Sequence, residues 1–158
     1  MGNPNRGKPF ESVIRESFER VADTSVVRLM DATNKAVMHK GVKNPCDFIV
    51  YKYPHQLMIE CKSTHDGTLH FSKITQWEPL LEYSKFFGVV SGVIVWFIKY
   101  DVTFFIDIST LEQLKEIGAK SISHNDVTNG IVLHGKKRRI YYDYDMHRFF
   151  DDIGECYD

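Results

Sequence analysis

The chain is poor in several features that would each point to a large class of proteins. It has no long uninterrupted apolar run: the longest, Phe86 to Ile98, is broken by Gly88, Ser91 and Gly92. That run is too short for a membrane-crossing helix and reads as a buried strand, so no membrane partner is expected. The opening MGNPNRGKPF lacks the apolar centre of a signal peptide, and a cytoplasmic protein is expected. Met1-Gly2 begins like an acylation signal, but Arg6 stands where that signal needs Ser or Thr. Cysteine is scarce and odd in number; Cys46, Cys61 and Cys156 do not make a disulfide framework. With no CxxC, and no HxxxH among the seven histidines, the spacing of a structural zinc site is missing too. Net charge is nearly absent at −1, so no overall field draws the chain to nucleic acid.

What is present is enough for a packed core. The 158 residues are 43% hydrophobic and 13% aromatic, which fits one globular domain spanning 1–158. The charge is segregated. Arg6, Lys8, Lys40, Lys43 and the run Lys136-Lys137-Arg138-Arg139 are cationic, while Asp143, Asp145, Asp151, Asp152, Glu155 and Asp158 crowd the end. Such segregation places a basic face inside a neutral total.

Pro9 followed by Phe10, Val13, Ile14, Ser17, Phe18 and Val21 has helical spacing, with Glu11→Arg15 and Glu16→Arg20 as flanking i,i+4 pairs. A short strand is expected over 25–30, and a polar loop or mobile stalk over 31–45, which contains Gly41, Asn44 and Pro45. Two strand-like runs follow, Asp47–Tyr53 and Gln56–Lys62, and 63–71 reads as a loop. A helix is predicted from about Thr75 to Phe87, stopped by Gly88, with Thr75 and Glu78 at capping-box spacing. Val89–Tyr100 and Val102–Ile108 form a second strand pair. Ser109-Thr110-Leu111-Glu112 opens a helix that ends at Gly118. A turn near Ser123–Thr128, a strand around Ile140–Tyr144 and an amphipathic end complete an α/β domain.

The chemistry is concentrated in Asp47 and in Glu60-Cys61-Lys62, which read as D-x12-E-x-K. If the two runs pair as an antiparallel hairpin about Pro54-His55, Asp47 faces Lys62 and Ile49 faces Glu60. Opposed residues, and residues two apart, point to the same side. The three side chains then share one face, with Glu60 diagonal to Asp47 at roughly 7–8 Å between Cα atoms, a gap two carboxylates can bridge around a cation. Phe48, Val50, Leu57, Ile59 and Cys61 fall on the opposite face, suited to burial. Pro54 does not fit a tight type I′ turn, so the longer of the loops that keep this parity is expected.

Two carboxylates with a lysine suit Mg²⁺-assisted phosphodiester hydrolysis. Carboxylate-held metal supplies a nucleophilic water and neutralises charge, and the Cys61 carbonyl lies where it would complete the ligands. Lys62 is suited to orient or deprotonate the water, or to stabilise the transition state. The same residues also fit an Asp at a turn beside an ordinary Glu/Lys pair on an exposed strand, and E-x-K alone carries little information.

The flanking residues add a resemblance. Asn5-Arg6-Gly7 with Phe10-Glu11 opening the first helix, then Pro45-Cys46-Asp47, Glu60-Cys61-Lys62 and Gln76, together resemble a RecU-type Holliday junction resolvase. That family is a branch of the PD-(D/E)xK, restriction-endonuclease-like superfamily of Gram-positive bacteria and their phages. The resemblance implies a mixed β-sheet flanked by helices. It also implies a homodimer that binds branched DNA and resolves four-way junctions by paired, symmetric nicks with Mg²⁺, for which Mn²⁺ substitutes. Carried over, Asp47 and Glu60 are metal ligands and Lys62 the catalytic lysine. Glu11 is a supporting acid, and Gln76 positions a phosphate or water. The family's bacterial members have a longer N-terminal region and a projecting stalk. Here the candidate stalk, 31–45, carries Lys35, His39, Lys40 and Lys43, and a phage-encoded version acting in the host cytoplasm is expected.

Other residues divide between roles. Asn5, Arg6 and Lys8 precede a helix N-terminus, where phosphate is favoured. Lys136, Lys137, Arg138 and Arg139, like Lys40 and Lys43, are candidate DNA contacts or a solvated surface. Glu11 is otherwise a partner for Arg15, and Gln76 a solvated first-turn residue. Trp77, Trp96, Phe104 and Phe105 belong to a core or dimer interface. Two further functions share these residues: a restriction- or repair-type nuclease on duplex DNA, and a non-catalytic DNA-binding module of the same fold.

Overall fold

The computed structural model describes residues 7–29, 44–138 and 142–157, with side chains in the first stretch from Phe10 onward. Helix α1, Gly7–Glu19, is followed by strand β1, Ser25–Arg28. Phe10, Ile14, Ser17 and Phe18 of α1 are buried, as the helical spacing requires, with Val21 just beyond it. The expected ion pairs along α1 are replaced. Glu11 pairs with Arg28, Arg15 with Glu19 and Arg20 with Asp143. An exposed i,i+4 pair is worth only ~0.3–0.5 kcal/mol, so Glu11 and Arg20 exchange it readily for partners brought in by the tertiary fold, and Arg15 turns to Glu19 further along the helix.

Strands β2, Phe48–Lys52, and β3, His55–Thr64, form the expected antiparallel hairpin, but the register is two residues shorter than predicted. Lys52 pairs with His55, so only Tyr53 and Pro54, joined by a cis peptide, make the turn. Phe48 lies opposite Ile59. A shift of two preserves which side chains share a face, since side-chain direction alternates with period two. The predicted loop over 63–71 is also corrected: β3 continues to Thr64, and β4, Thr68–His70, pairs with β7, Ser121–Ser123.

Helix α2 is shorter than predicted, Trp77–Tyr83, and its capping box does not form; Gln76 is the N-cap and makes no side-chain cap bond. Strand β5, Val89–Phe97, runs parallel to β3, and β6, Val102–Asp107, returns antiparallel. Helix α3, Ile108–Glu116, starts earlier than predicted because Asp107 caps it, accepting from the Ser109 amide at 2.7 Å. It ends as expected at Gly118, whose φ of 98° allows the Ala119 amide to reach back to the Leu114 carbonyl. A 3₁₀ turn capped by Ser123, strands β8 (Ile131–Val132), β9 (Gly135–Lys137) and β10 (Tyr142–Tyr144), and helix α4, Met146–Tyr157, complete the described chain.

The central sheet is mixed, in the order β1-β2-β3-β5-β6-β8, and buried on both faces. On one face Phe48, Val50, Leu57, Ile59, Ile94 and Phe105 pack against α1 and α4. On the other, Met58, Val93, Val95 and Phe104 pack against α2 and α3. Alternation along β3 puts Glu60 and Lys62 on the same side as Met58, under the second layer. No helix among the described residues is long and apolar enough to cross a membrane.

Candidate active site at the overhanging edge of β3

Strand β3 outruns β2: the ladder between them ends at Phe48 and Ile59, and β3 goes on for five residues. Asp47 occupies the point where pairing stops. Its amide donates to the Ile59 carbonyl at 2.9 Å, and its own carbonyl accepts from the Leu29 amide at 2.9 Å. Its Oδ2 accepts from the Cys61 amide at 2.8 Å, in the place a further β2 residue would have filled. Backbone N–H and C=O of one strand residue point to the same neighbour. The Cys61 carbonyl is therefore directed toward Asp47 and away from β5.

Glu60 is almost wholly buried, at 2% exposure. Its Oε1 meets the Lys62 ammonium at 3.0 Å, while Oε2 is buried with no hydrogen-bond partner. An orphaned carboxylate oxygen is costly unless something cationic or protic completes it. Burial, and then the nearby Asp47 carboxylate, push the Glu60 carboxyl up to about 7; Lys62 pulls it down, and Glu11 adds a smaller lift. The same acids and burial raise the Cys61 thiol well above its ordinary range, so it is not a thiolate ligand.

Asp47, Glu60 and Lys62 are thus brought together on one strand edge, with Glu11 close enough for its charge to register. Among the described residues no group of three or more His, Cys, Asp or Glu side chains gathers at metal-ligating spacing. The donor set is instead two carboxylates and one carbonyl, oxygen only, which suits a hard divalent cation that keeps several waters. The unpartnered Glu60 oxygen fits such an ion.

The remaining candidates are placed less closely. Gln76 accepts from the Thr75 hydroxyl rather than bonding Glu60 or Lys62. Lys137 pairs with Asp101 at 3.0 Å and Arg138 with Asp143, while Lys136 is exposed on β9. Asn5, Arg6, Lys40, Lys43 and Arg139 lie outside the described residues, as does the side chain of Lys8 and nearly all of the 31–45 segment. Trp77, Phe104 and Phe105 are core residues. Arg28 was not expected at the site; a lone arginine ending a short strand carries no motif, and its pairing with Glu11 is a tertiary contact.

No family model matches the chain, and no curated protein matches it in sequence. The chain is an α/β fold: a mixed sheet flanked by helices, with acidic side chains at the overhanging edge of one strand. Among solved structures it is similar to Hjc, a Holliday junction resolvase from the archaeal hyperthermophile Archaeoglobus fulgidus. The likeness has a TM-score of 0.58 at 22% identity and covers 80% of this chain and 95% of that one. At that identity the likeness is one of fold.

Proposed function

We propose that the chain is a Mg²⁺-dependent, structure-selective DNA endonuclease that resolves four-way junctions by paired, symmetric nicks as a homodimer. One observation carries the reading: a buried carboxylate oxygen of Glu60 without a partner, facing the same strand edge as Asp47, in a fold shared with a junction resolvase. Asp47, Glu60 and the Cys61 carbonyl hold the metal. When bound, Mg²⁺ supplies an acidified water and neutralises charge on the phosphoryl oxygens. Lys62, fixed on Glu60, orients the attacking water and offsets the charge that builds as the bridging oxygen leaves. The basic run at Lys136–Arg139, with Arg6 just before α1 and Lys8 in its first turn, supplies phosphate contacts that position the duplex arms. The finer assignment, to the RecU type, rests on Asn5-Arg6-Gly7 with Phe10-Glu11 and the D-x12-E-x-K spacing.

The test is cleavage of a labelled synthetic four-way junction in Mg²⁺, beside linear duplexes of the same arm sequences, with Asp47→Asn and Lys62→Ala in parallel. Symmetric nicking of the junction alone supports the resolvase. Equal cutting of the linear arms makes the chain a duplex nuclease. Binding with no cleavage beyond that of Asp47→Asn removes the enzyme reading.

A further inference from the structure

Arg28 ties the end of β1 to the first helix. Its Nε donates to Glu11 Oε1 at 3.0 Å, from the last residue of β1. The next residue, Leu29, is the one whose amide bonds the Asp47 carbonyl. Arg28 is thus fixed to the same backbone that carries Asp47, while Glu11 rides on α1. The Glu11 carboxylate is mostly shielded, at 18% exposure, whereas Arg28 is 48% exposed. Glu11 also sits close enough to Glu60 for its charge to be felt there. Among the described residues the neighbourhood holds the carboxylates of Glu11, Asp47 and Glu60 and the cations Arg28 and Lys62. One oxygen of Glu60 in this set is buried and without a hydrogen-bond partner.

A glutamate on a helix has three rotatable bonds, and beside two other carboxylates its lowest-energy direction is outward into solvent. A guanidinium anchored on a strand reverses that preference, since a charge-assisted bond holds the carboxylate in one rotamer. We propose that Arg28 is a positioning residue: it holds Glu11 beside the edge formed by Asp47 and Glu60, so that the Glu11 carboxylate acts on the water there rather than as a third metal ligand. This rests on the nuclease reading above. It predicts that Arg28 acts through Glu11 and that removing either partner has the same consequence. Outer groups that orient metal-site carboxylates typically matter by about 10–100-fold in affinity or activity.

The experiment is a double-mutant cycle on Glu11→Gln and Arg28→Gln, with Arg28→Lys as the conservative variant, read two ways. In junction cleavage, both single variants should lower kcat by about 10–100-fold at little change in KM, and the double variant should be no worse than either. Arg28→Lys should recover part of the loss. In calorimetric titration with Ca²⁺, which needs no cleavage, both variants should weaken binding by a like factor and together do no more. A guanidinium acting by charge alone would oppose the cation, so tighter Ca²⁺ binding in Arg28→Gln overturns the proposal. So does a raised KM at unchanged kcat, which would make Arg28 a DNA contact, and so do independent, multiplicative effects in the cycle. If the wild type cuts nothing, the nuclease reading fails, while the Ca²⁺ cycle still decides the coupling of Arg28 to Glu11.

Discussion

The Asp47 carboxylate accepts the Cys61 amide at 2.8 Å, extending the contact between β2 and β3 past their last backbone pair, Phe48 with Ile59. The bond stitches the short strand to the overhanging one, and it sets the carboxylate beside Glu60. One side chain therefore has a structural and an electrostatic task, and the two can be separated by substitution.

Asp47→Asn keeps an oxygen able to accept from Cys61 and removes only the charge. Its folding stability should stay within ~1 kcal/mol of wild type while Mg²⁺-dependent cleavage falls to background. Asp47→Ala leaves the Cys61 amide without its acceptor and should cost a further ~1–2 kcal/mol. Urea denaturation of the two variants, beside cleavage assays, checks this. Equal stability of the two would mean that the bond does not hold the strand end.

Glu60 makes stability depend on pH. In the unfolded chain it titrates near 4.5, and in the fold burial and Asp47 raise it to about 7. Between those values the folded state keeps a proton that the unfolded state has released. The contribution of Glu60 to stability is therefore full below about pH 4.5, falls as pH rises toward 7, and levels off above, by on the order of 3 kcal/mol in total. Glu60→Gln should flatten this profile: its Tm in chelator should exceed that of wild type at pH 8 and converge with it near pH 5. Mg²⁺ should restore wild-type Tm at pH 8 and leave the variant unmoved. A flat wild-type profile from pH 5 to 8 would contradict the argument.

How much of this was visible in the sequence depends on the range of the interaction that decides each feature. The shared face of Asp47, Glu60 and Lys62 follows from strand alternation alone and survives a register error of two. The turn length that caused that error is set by the two-residue Tyr53-Pro54 connection, which propensity disfavoured. Residues 68–70 read as loop because β4 is a strand only by pairing with β7, about fifty positions away. Glu11 was matched to Arg15 by helix spacing, but Arg28 outcompetes it through the packing of α1 on β1. The start of α3 is set by a local contact instead: Asp107, at the end of a strand, caps it ahead of the Ser-Thr-Leu-Glu box. Local rules recovered the trio; the partners that tune it came from distant segments.

Gly92 lies in the middle of β5, opposite Asp107, where the sheet passes under Phe105. A Cβ built there would stand 2.3 Å from the Ile106 carbonyl and 2.6 Å from the Phe105 ring. Backbone on one side and a buried ring on the other leave no flexible group to yield. Gly92→Ala should destabilise by about 1–3 kcal/mol or more, the range for overpacking. A thermal unfolding scan tests it, and a Tm within a degree of wild type would show that β5 and β6 can separate without cost.

The basic hairpin offers the last test, because its cations are not equivalent. Arg138 and Arg20 both bond Asp143, with Arg138 the main cause that holds that carboxyl below its ordinary range. Lys137 bonds Asp101. Lys136 lies opposite Asp143 in the strand register, yet that carboxylate is already engaged by the two arginines. Of the described cations of the hairpin, Lys136 is the one that makes no ion pair, so its charge is available to a phosphate. Each phosphate neutralised contributes about 0.9 to the slope of log affinity against log salt on duplex DNA. Lys136→Ala should reduce the slope for junction binding by close to that amount, measured by fluorescence anisotropy in Ca²⁺ over a NaCl series. Lys137→Ala should change it less, since Asp101 offsets the charge that residue brings. An unchanged slope in Lys136→Ala would take Lys136 out of the path of the DNA and turn attention to Arg6, Lys8 and the cations of the 31–45 segment.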